Sequence, residues 1–214
     1  DSKQSRGLGD VYKRQKGVSN KEISSLIAEN LNIPNILKNA STNWDGGYTM
    51  AGLMGHGDAF VIRDPNGIRP AFWYEDDEVF VVTSERPVIQ TAFNVKWEEI
   101  KELKPGNALI IKKNNLNQEV EINTPKEIKK CSFERIYFSR GTDKDIYKER
   151  LKLGRLVVSQ ILVAIDNDLR NTVFSFIPNT AEMSYYGMIK ELENHLSAMK
   201  KVEIKALDPK AKNY

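Results

Sequence analysis

The chain has 214 residues, 32 basic and 29 acidic side chains, two histidines and one cysteine, for a net charge of +3. The near balance of charge gives no basic footprint for nucleic acid, and no apolar run approaches the roughly 18 residues a membrane helix needs. The sole cysteine, Cys131, has no partner within the chain for a disulfide, and no segment has the form of a secretory signal, so a cytoplasmic protein is expected.

Along the chain, residues 1–15 stand apart. Ser5-Arg6-Gly7-Leu8-Gly9-Asp10-Val11-Tyr12-Lys13-Arg14-Gln15 resembles the in-frame translation of a transposase-end adapter used in sequencing libraries, and native protein is expected from about Lys16. Setting this segment aside removes four basic residues (Lys3, Arg6, Lys13, Arg14) and two acidic ones (Asp1, Asp10). The remaining 28 basic and 27 acidic residues leave a net of +1. Residues 16–130 and 131–214 are then expected as two domains.

Lys16 to Trp44 reads as helical. Ser19-Asn20-Lys21-Glu22 has the form of a capping box, followed by an apolar stripe at Ile23, Leu26, Ile27 and Leu31. Pro34 suits the first turn of a second short helix. From Gly46 the pattern becomes that of a β-meander, with strands at Tyr48–Leu53, Ala59–Ile62, Ala71–Tyr74 and Val79–Thr83. A helical interruption at Arg86–Phe93 precedes a last strand at Ala108–Lys112. Asp64-Pro65-Asn66-Gly67 has turn chemistry between two apolar runs and predicts a hairpin bend. The helices of the first block are expected to cover the apolar face of the sheet.

After a polar link, Asn114 to Lys130, the pattern changes. Phe133–Ser139 reads as extended. A long helix is predicted over Asp143–Asp166, then a fully apolar strand at Val173–Ile177. Pro178-Asn179-Thr180-Ala181 turns into a helix to about Leu192, whose N-terminus suits phosphate. His56, in a Gly-His-Gly-Asp turn, reads as a turn residue. His195 reads as a helix-end residue, and Phe72-Trp73-Tyr74 as sheet packing.

Four phrases together carry a family resemblance: Arg63-Asp64-Pro65-Asn66-Gly67-Ile68-Arg69-Pro70, Ser84-Glu85-Arg86, Pro105-Gly106-Asn107-Ala108-Leu109-Ile110-Ile111, and Cys131-Ser132-Phe133-Glu134-Arg135-Ile136-Tyr137-Phe138-Ser139-Arg140. From about Ser19 to about Leu192 the chain resembles the amidophosphoribosyltransferases. These place glutamine-derived ammonia on phosphoribosyl pyrophosphate, giving 5-phosphoribosylamine at the start of purine synthesis. The resemblance implies an α+β fold: the later half of an N-terminal-nucleophile glutaminase sandwich, then the opening of an α/β phosphoribosyltransferase domain. It implies glutamine and phosphoribosyl pyrophosphate as the parent's ligands, Mg2+ as the parent's cofactor with none expected on this fragment, and a homo-oligomer when intact.

The family's nucleophile is an N-terminal cysteine. Cys131 is internal and cannot take that part, so no catalytic residue is assigned and the fragment is expected to be inert. Cys131 lies near a cysteine that ligates an iron–sulfur cluster in some members, but the other thiolates are not present. Two residues fall on the family's binding positions. Asn20 stands where an aspartate binds the α-amino group of glutamine, and also where a helix cap would place it. Thr180 stands where phosphate or metal contacts fall, with Ala181 in place of a frequent hydroxyl residue; it also suits a helix cap. Other type 2 glutamine amidotransferases carry looser versions of the Arg63–Pro70 phrase. The alternatives are another such amidotransferase and a non-catalytic or regulatory glutaminase-like scaffold, the latter left open by Asn20 and Ala181.

Overall fold

A computed structural model describes residues 17–207, so the adapter-like segment 1–15 lies outside the described residues. The chain divides into two compact units, Asp1–Cys131 and Ser132–Tyr214.

In the first unit, α1 (Asn20–Asn30) opens with the expected capping box: the Glu22 amide donates to Ser19 Oγ at 3.3 Å, and the Ser19 amide donates to Glu22 Oε2 at 2.9 Å. The helix α2 (Ile33–Ala40) carries Pro34 in its first turn and Asn32 as its cap. Its Ile33 and Leu37 are buried against Ile62, Ala108, Ile110 and Ile122, so this helix covers the sheet as expected.

Seven strands follow: β1 (Thr49–Leu53), β2 (Ala59–Arg63), β3 (Phe72–Glu75), β4 (Phe80–Thr83), β5 (Lys101–Glu102), β6 (Asn107–Ile111) and β7 (Gln118–Glu121). They do not form one meander. One sheet has the order β1-β2-β6-β7 and the other β4-β3-β5, with every pairing antiparallel. The helix α3 (Arg86–Phe93) occupies the predicted interruption. Strand β7 lies within the stretch read as a polar link. Its Gln-Glu-Val-Glu sequence alternates but carries one apolar residue, too few for a strand signal.

The predicted hairpin at Asp64–Gly67 is not one. Strand β2 pairs with β1 and β6, whereas β3 pairs with β4 and β5, so the turn carries the chain from the first sheet to the second. The second sheet is thus an insertion between two paired strands of the first. A core of Val61, Ala71, Trp73, Leu103 and Leu109 joins them. Trp73 stacks on Phe80 at 5.4 Å, which bears out sheet packing for that aromatic run.

The second unit is helical among its described residues. Glu134–Phe138 forms a π-helical turn where an extended segment was expected. The predicted helix 143–166 is two helices, α4 (Lys144–Leu156) and α5 (Val158–Ala164), broken at Val157. The last helix, α6 (Glu182–Ala206), continues well past Leu192 and places His195 in its interior. Helices α4 and α6 approach closely because two glycines face backbone. A Cβ on Gly154 would overlap the Ser184 carbonyl, and one on Gly187 would overlap that of Leu151. Val158, Leu162, Met188 and Leu192 form the adjoining core.

Val173–Ile177 is not a strand. No strand among the described residues of this unit offers it a ladder of hydrogen bonds. It lies extended with Phe174 and Phe176 inward, Phe176 against the Tyr185 ring at 4.8 Å, and Val173 and Ile177 exposed. Its run of apolar residues therefore buries one face, not the two that the sequence suggested.

Candidate functional site

A densely hydrogen-bonded place among the described residues of the first unit is the Arg63–Pro70 phrase. Asp64 is wholly buried, and its carboxylate accepts from three backbone amides: Asn66 (3.1 Å) and Ile68 (3.0 Å) on Oδ1, Arg69 (3.0 Å) on Oδ2. Arg63, also buried, spreads its guanidinium over four acceptors. Nε donates to the Arg69 carbonyl (2.7 Å) and Nη2 to Gly67 (3.2 Å), while Nη1 reaches the Leu103 carbonyl and Glu102 Oε1. A buried charge with this many partners is satisfied, and the two residues fix the loop's shape. Gly67, at φ +62°, has the left-handed backbone the turn requires.

The Pro105–Ile111 phrase meets this loop. The Gly106 amide donates to the Asp64 carbonyl at 3.1 Å, and Gly67 lies against the Pro105 ring. Two phrases about 40 residues apart are thereby one structural feature, the neck through which the chain enters and leaves the second sheet.

A second cluster surrounds Asp58. Lys112 Nζ donates to Asp58 Oδ2 at 2.6 Å and the Lys113 amide to Oδ1 at 3.1 Å. His56 Nε2 lies 3.1 Å from the same Oδ2 but out of hydrogen-bond alignment, so the contact is one of proximity. Burial alone would raise the Asp58 carboxyl, but Lys112, Lys113 and His56 outweigh it and hold its pKa at about 2. His56 thus has a partner that its turn sequence did not disclose. The arrangement ties the β1–β2 turn to the end of β6.

Asn20 sits exposed at the start of α1, within the capping box. Asn20 and Thr180 are far apart in the chain and fall in different units. Cys131 is half-buried at the unit boundary.

Thr180 lines an open pocket of about 780 Å³ on the second unit. Its wall brings together Arg140, Lys144 and Lys148 with Thr142, Thr180 and the aromatic rings of Tyr137 and Tyr147; Glu182 is the one carboxylate in that wall. Arg150, which is buried, also lines it. Its guanidinium donates to the carbonyls of Arg135 (3.0 Å) and Ser139 (2.7 Å), and burial lowers its pKa. It therefore fixes the π-helical turn that presents Tyr137 and Arg140. The N-terminus of α6 opens beside Thr180 without a side-chain cap. Cations, hydroxyls and an open helix terminus suit an anionic group of phosphate type. Sequence reasoning singled out Thr180 and missed the cations, because Arg140, Lys144 and Lys148 lie about 30–40 residues away, on α4 and the turn before it.

Comparison with known proteins bears on both units. A family model described as class-II glutamine amidotransferases matches residues 21–138, more than half of the chain. Amidophosphoribosyltransferase of Lachancea kluyveri is 31% identical over 147 residues, covering 64% of this chain and 28% of the relative. The Saccharomyces cerevisiae protein of that name is 31% identical over 148 residues with the same coverage. That of Bacillus subtilis is 30% identical over 136 residues, covering 61% and 27%. The chain thus spans little more than a quarter of the length of these relatives. Among solved structures, the B. subtilis glutamine phosphoribosylpyrophosphate amidotransferase, complexed with ADP and GMP, superposes with a TM-score of 0.57 at 22% identity. It covers 82% of this chain and 38% of that one. A structure of the allosteric regulatory enzyme of purine biosynthesis gives 0.56 at 21%, covering 86% and 40%. These likenesses establish the α+β glutaminase-type fold, mixed helix and antiparallel sheet. By the match over residues 21–138, the chain belongs to the class-II glutamine amidotransferases.

Proposed function

We propose that this chain is part of an amidophosphoribosyltransferase, a cytoplasmic enzyme that moves ammonia from glutamine to phosphoribosyl pyrophosphate and releases 5-phosphoribosylamine and pyrophosphate. The observation that carries the reading is the shared activity named for the relatives of yeasts and B. subtilis, joined to a cationic pocket on the second unit. Looser versions of the Arg63–Pro70 phrase occur in other amidotransferases, but the matched relatives favour this one.

In this reading Thr180, Arg140, Lys144 and Lys148 receive the ligand's phosphoryl oxygens, and Asn20 belongs to the glutamine side. An amide at position 20 accepts a hydrogen bond from an ammonium without pairing its charge. The one thiol of these residues, Cys131, lies in the Cys131–Arg140 phrase and cannot serve as the family's N-terminal nucleophile, so this stretch by itself is proposed to be inert toward glutamine. Mg2+ remains an expectation for the parent. Among the described residues no group of three or more His, Cys, Asp or Glu side chains is placed to hold a metal ion, so no step is assigned to a metal here.

The experiment is titration of the chain with inorganic pyrophosphate, followed by calorimetry. Arg140→Gln and Lys148→Gln are each expected to weaken binding by about tenfold, the loss of one hydrogen bond to a charged group. Binding unaltered by both substitutions overturns the phosphoryl assignment. Release of glutamate from glutamine by the chain alone overturns its inertness.

A further inference from the structure

The Arg63–Pro70 loop makes three hydrogen bonds that its own closure does not need. All three go to the segment that leads out of the first unit. The Lys126 amide donates to the Pro65 carbonyl at 2.8 Å, and the Lys129 amide donates to the Asn66 carbonyl at 2.9 Å. Asn66 Nδ2 donates to the Glu127 carbonyl at 2.9 Å. Upstream, the Ile122 and Asn123 amides both donate to the Gly106 carbonyl, at 3.0 and 2.9 Å. Residues 122–129 are therefore laid like a strap along both halves of the neck.

Ile122 is buried in the core and the Asn123 side chain bonds Ser41, but beyond them the strap's side chains do not explain its position. Residues 124–130 are exposed, so burial contributes little to holding it there. Polar groups of the loop supply what burial does not. Asp64 and Arg63 fix the loop from beneath, which leaves the Pro65 carbonyl and both ends of Asn66 facing outward as a ready set of acceptors and a donor. A rigid acceptor loses little conformational freedom when it binds, and this favours a short exposed segment that would otherwise fray.

We infer that the Arg63–Pro70 loop is a clamp for the connector between the two units, with Asn66 as its positioning residue. Asn66 supplies both a donor and an acceptor across the strap. The clamp holds the connector as far as Lys129, two residues before the boundary at Cys131. This assigns the loop a conformational role that stands without the proposed enzymatic reading.

The test is hydrogen exchange and limited trypsin digestion on the full chain, since Lys126 and Lys129 place cleavage sites in the strap and Lys130 one just beyond it. Asn66→Ala is expected to speed exchange of the Lys126 and Lys129 amides about fivefold, the loss of one ordinary hydrogen bond, and tryptic cleavage after those lysines in step. The amides of Val61 and Leu109, in the paired core of β2 and β6, should keep their protection. Lys129→Pro removes a donor from the strap side, leaves the loop's sequence intact, and should free the Lys126 amide in the same way. Unchanged exchange at Lys126 in both variants overturns the clamp. So does an equal rise at Val61 and Leu109, which would make Asn66 a determinant of the fold alone.

Discussion

Replacing Gly154 by alanine tests the packing of the second unit most directly. In an exposed helix this change would stabilise by about 0.8–1 kcal/mol through helix propensity. Here the new methyl would overlap the Ser184 carbonyl and crowd the Met188 amide, and both belong to the α6 backbone. A rotamer change cannot relieve that overlap, so the helices must separate and loosen the Val158, Leu162, Met188 and Leu192 cluster. Overpacking costs about 1–3 kcal/mol, and rigid backbone puts this case at the upper end. Net destabilisation is then about 2 kcal/mol, which lowers the midpoint of a domain of this size by roughly 8–16 °C. Helical circular dichroism reports the transition, while fluorescence of Trp44, Trp73 and Trp97 follows the first unit, where all three reside. Gly141→Ala is the control, since its methyl would meet the Met183 side chain at an ordinary 3.4 Å. A Gly154→Ala protein whose helical midpoint stays or rises refutes the close-crossing argument.

Three further outcomes are expected. Arg63→Ala leaves the buried carbonyls of Leu103 and Gly67 and the part-buried carbonyl of Arg69 without this donor and should destabilise the first unit by about 3 kcal/mol, read by tryptophan fluorescence in urea. Asp58 has a folded pKa of about 2, below its ordinary 3.8, so its contribution is present above pH ~4 and is lost as pH falls toward 2. Asp58→Asn should therefore cost about 1–2 kcal/mol at pH 6 and nearly nothing at pH 2; a pH-independent difference would show that the ion pair is not the cause. Strands β1 and β4 are edge strands without a charged residue, whereas β7 carries two glutamates, so the chain should self-associate in a concentration-dependent manner. Monomeric sedimentation with a single cooperative melt contradicts that expectation.

The elements most legible in the sequence are those whose signals are local. Ser19 and Glu22 are three residues apart, and the capping box they announce is present. Short β-branched and aromatic runs became strands within a residue or two of the expected limits. What the sequence did not disclose is which strands pair. The Asp64–Gly67 turn has hairpin chemistry, yet its neighbours enter different sheets because Arg63 reaches Leu103 and Glu102, some 40 residues on. Val173–Ile177 failed for a related reason: strand propensity does not supply a partner strand. The pocket beside Thr180 was half legible, since the phosphate-like turn has a local signature while its cations come from α4 and the turn before it. Likewise, Asp58 gains Lys112 as a partner only through the pairing of β2 with β6.

The insertion of one sheet between two paired strands of the other also bears on how the chain reaches its fold. Pairing Ala59 with Ile111 and Val61 with Leu109 closes a loop of about 50 residues, and the entropy of that closure opposes the first sheet until the intervening residues are ordered. Once the neck is tied through Arg63, Asp64 and Gly106, the closure becomes local for both sheets. The two sheets should then form in a single cooperative step, slower than the adjacent helical pair of α4 and α6, whose crossing joins residues about 30 apart. A mutation in the neck is consequently a mutation in folding rate, and its effect would be felt during synthesis before any mature site exists.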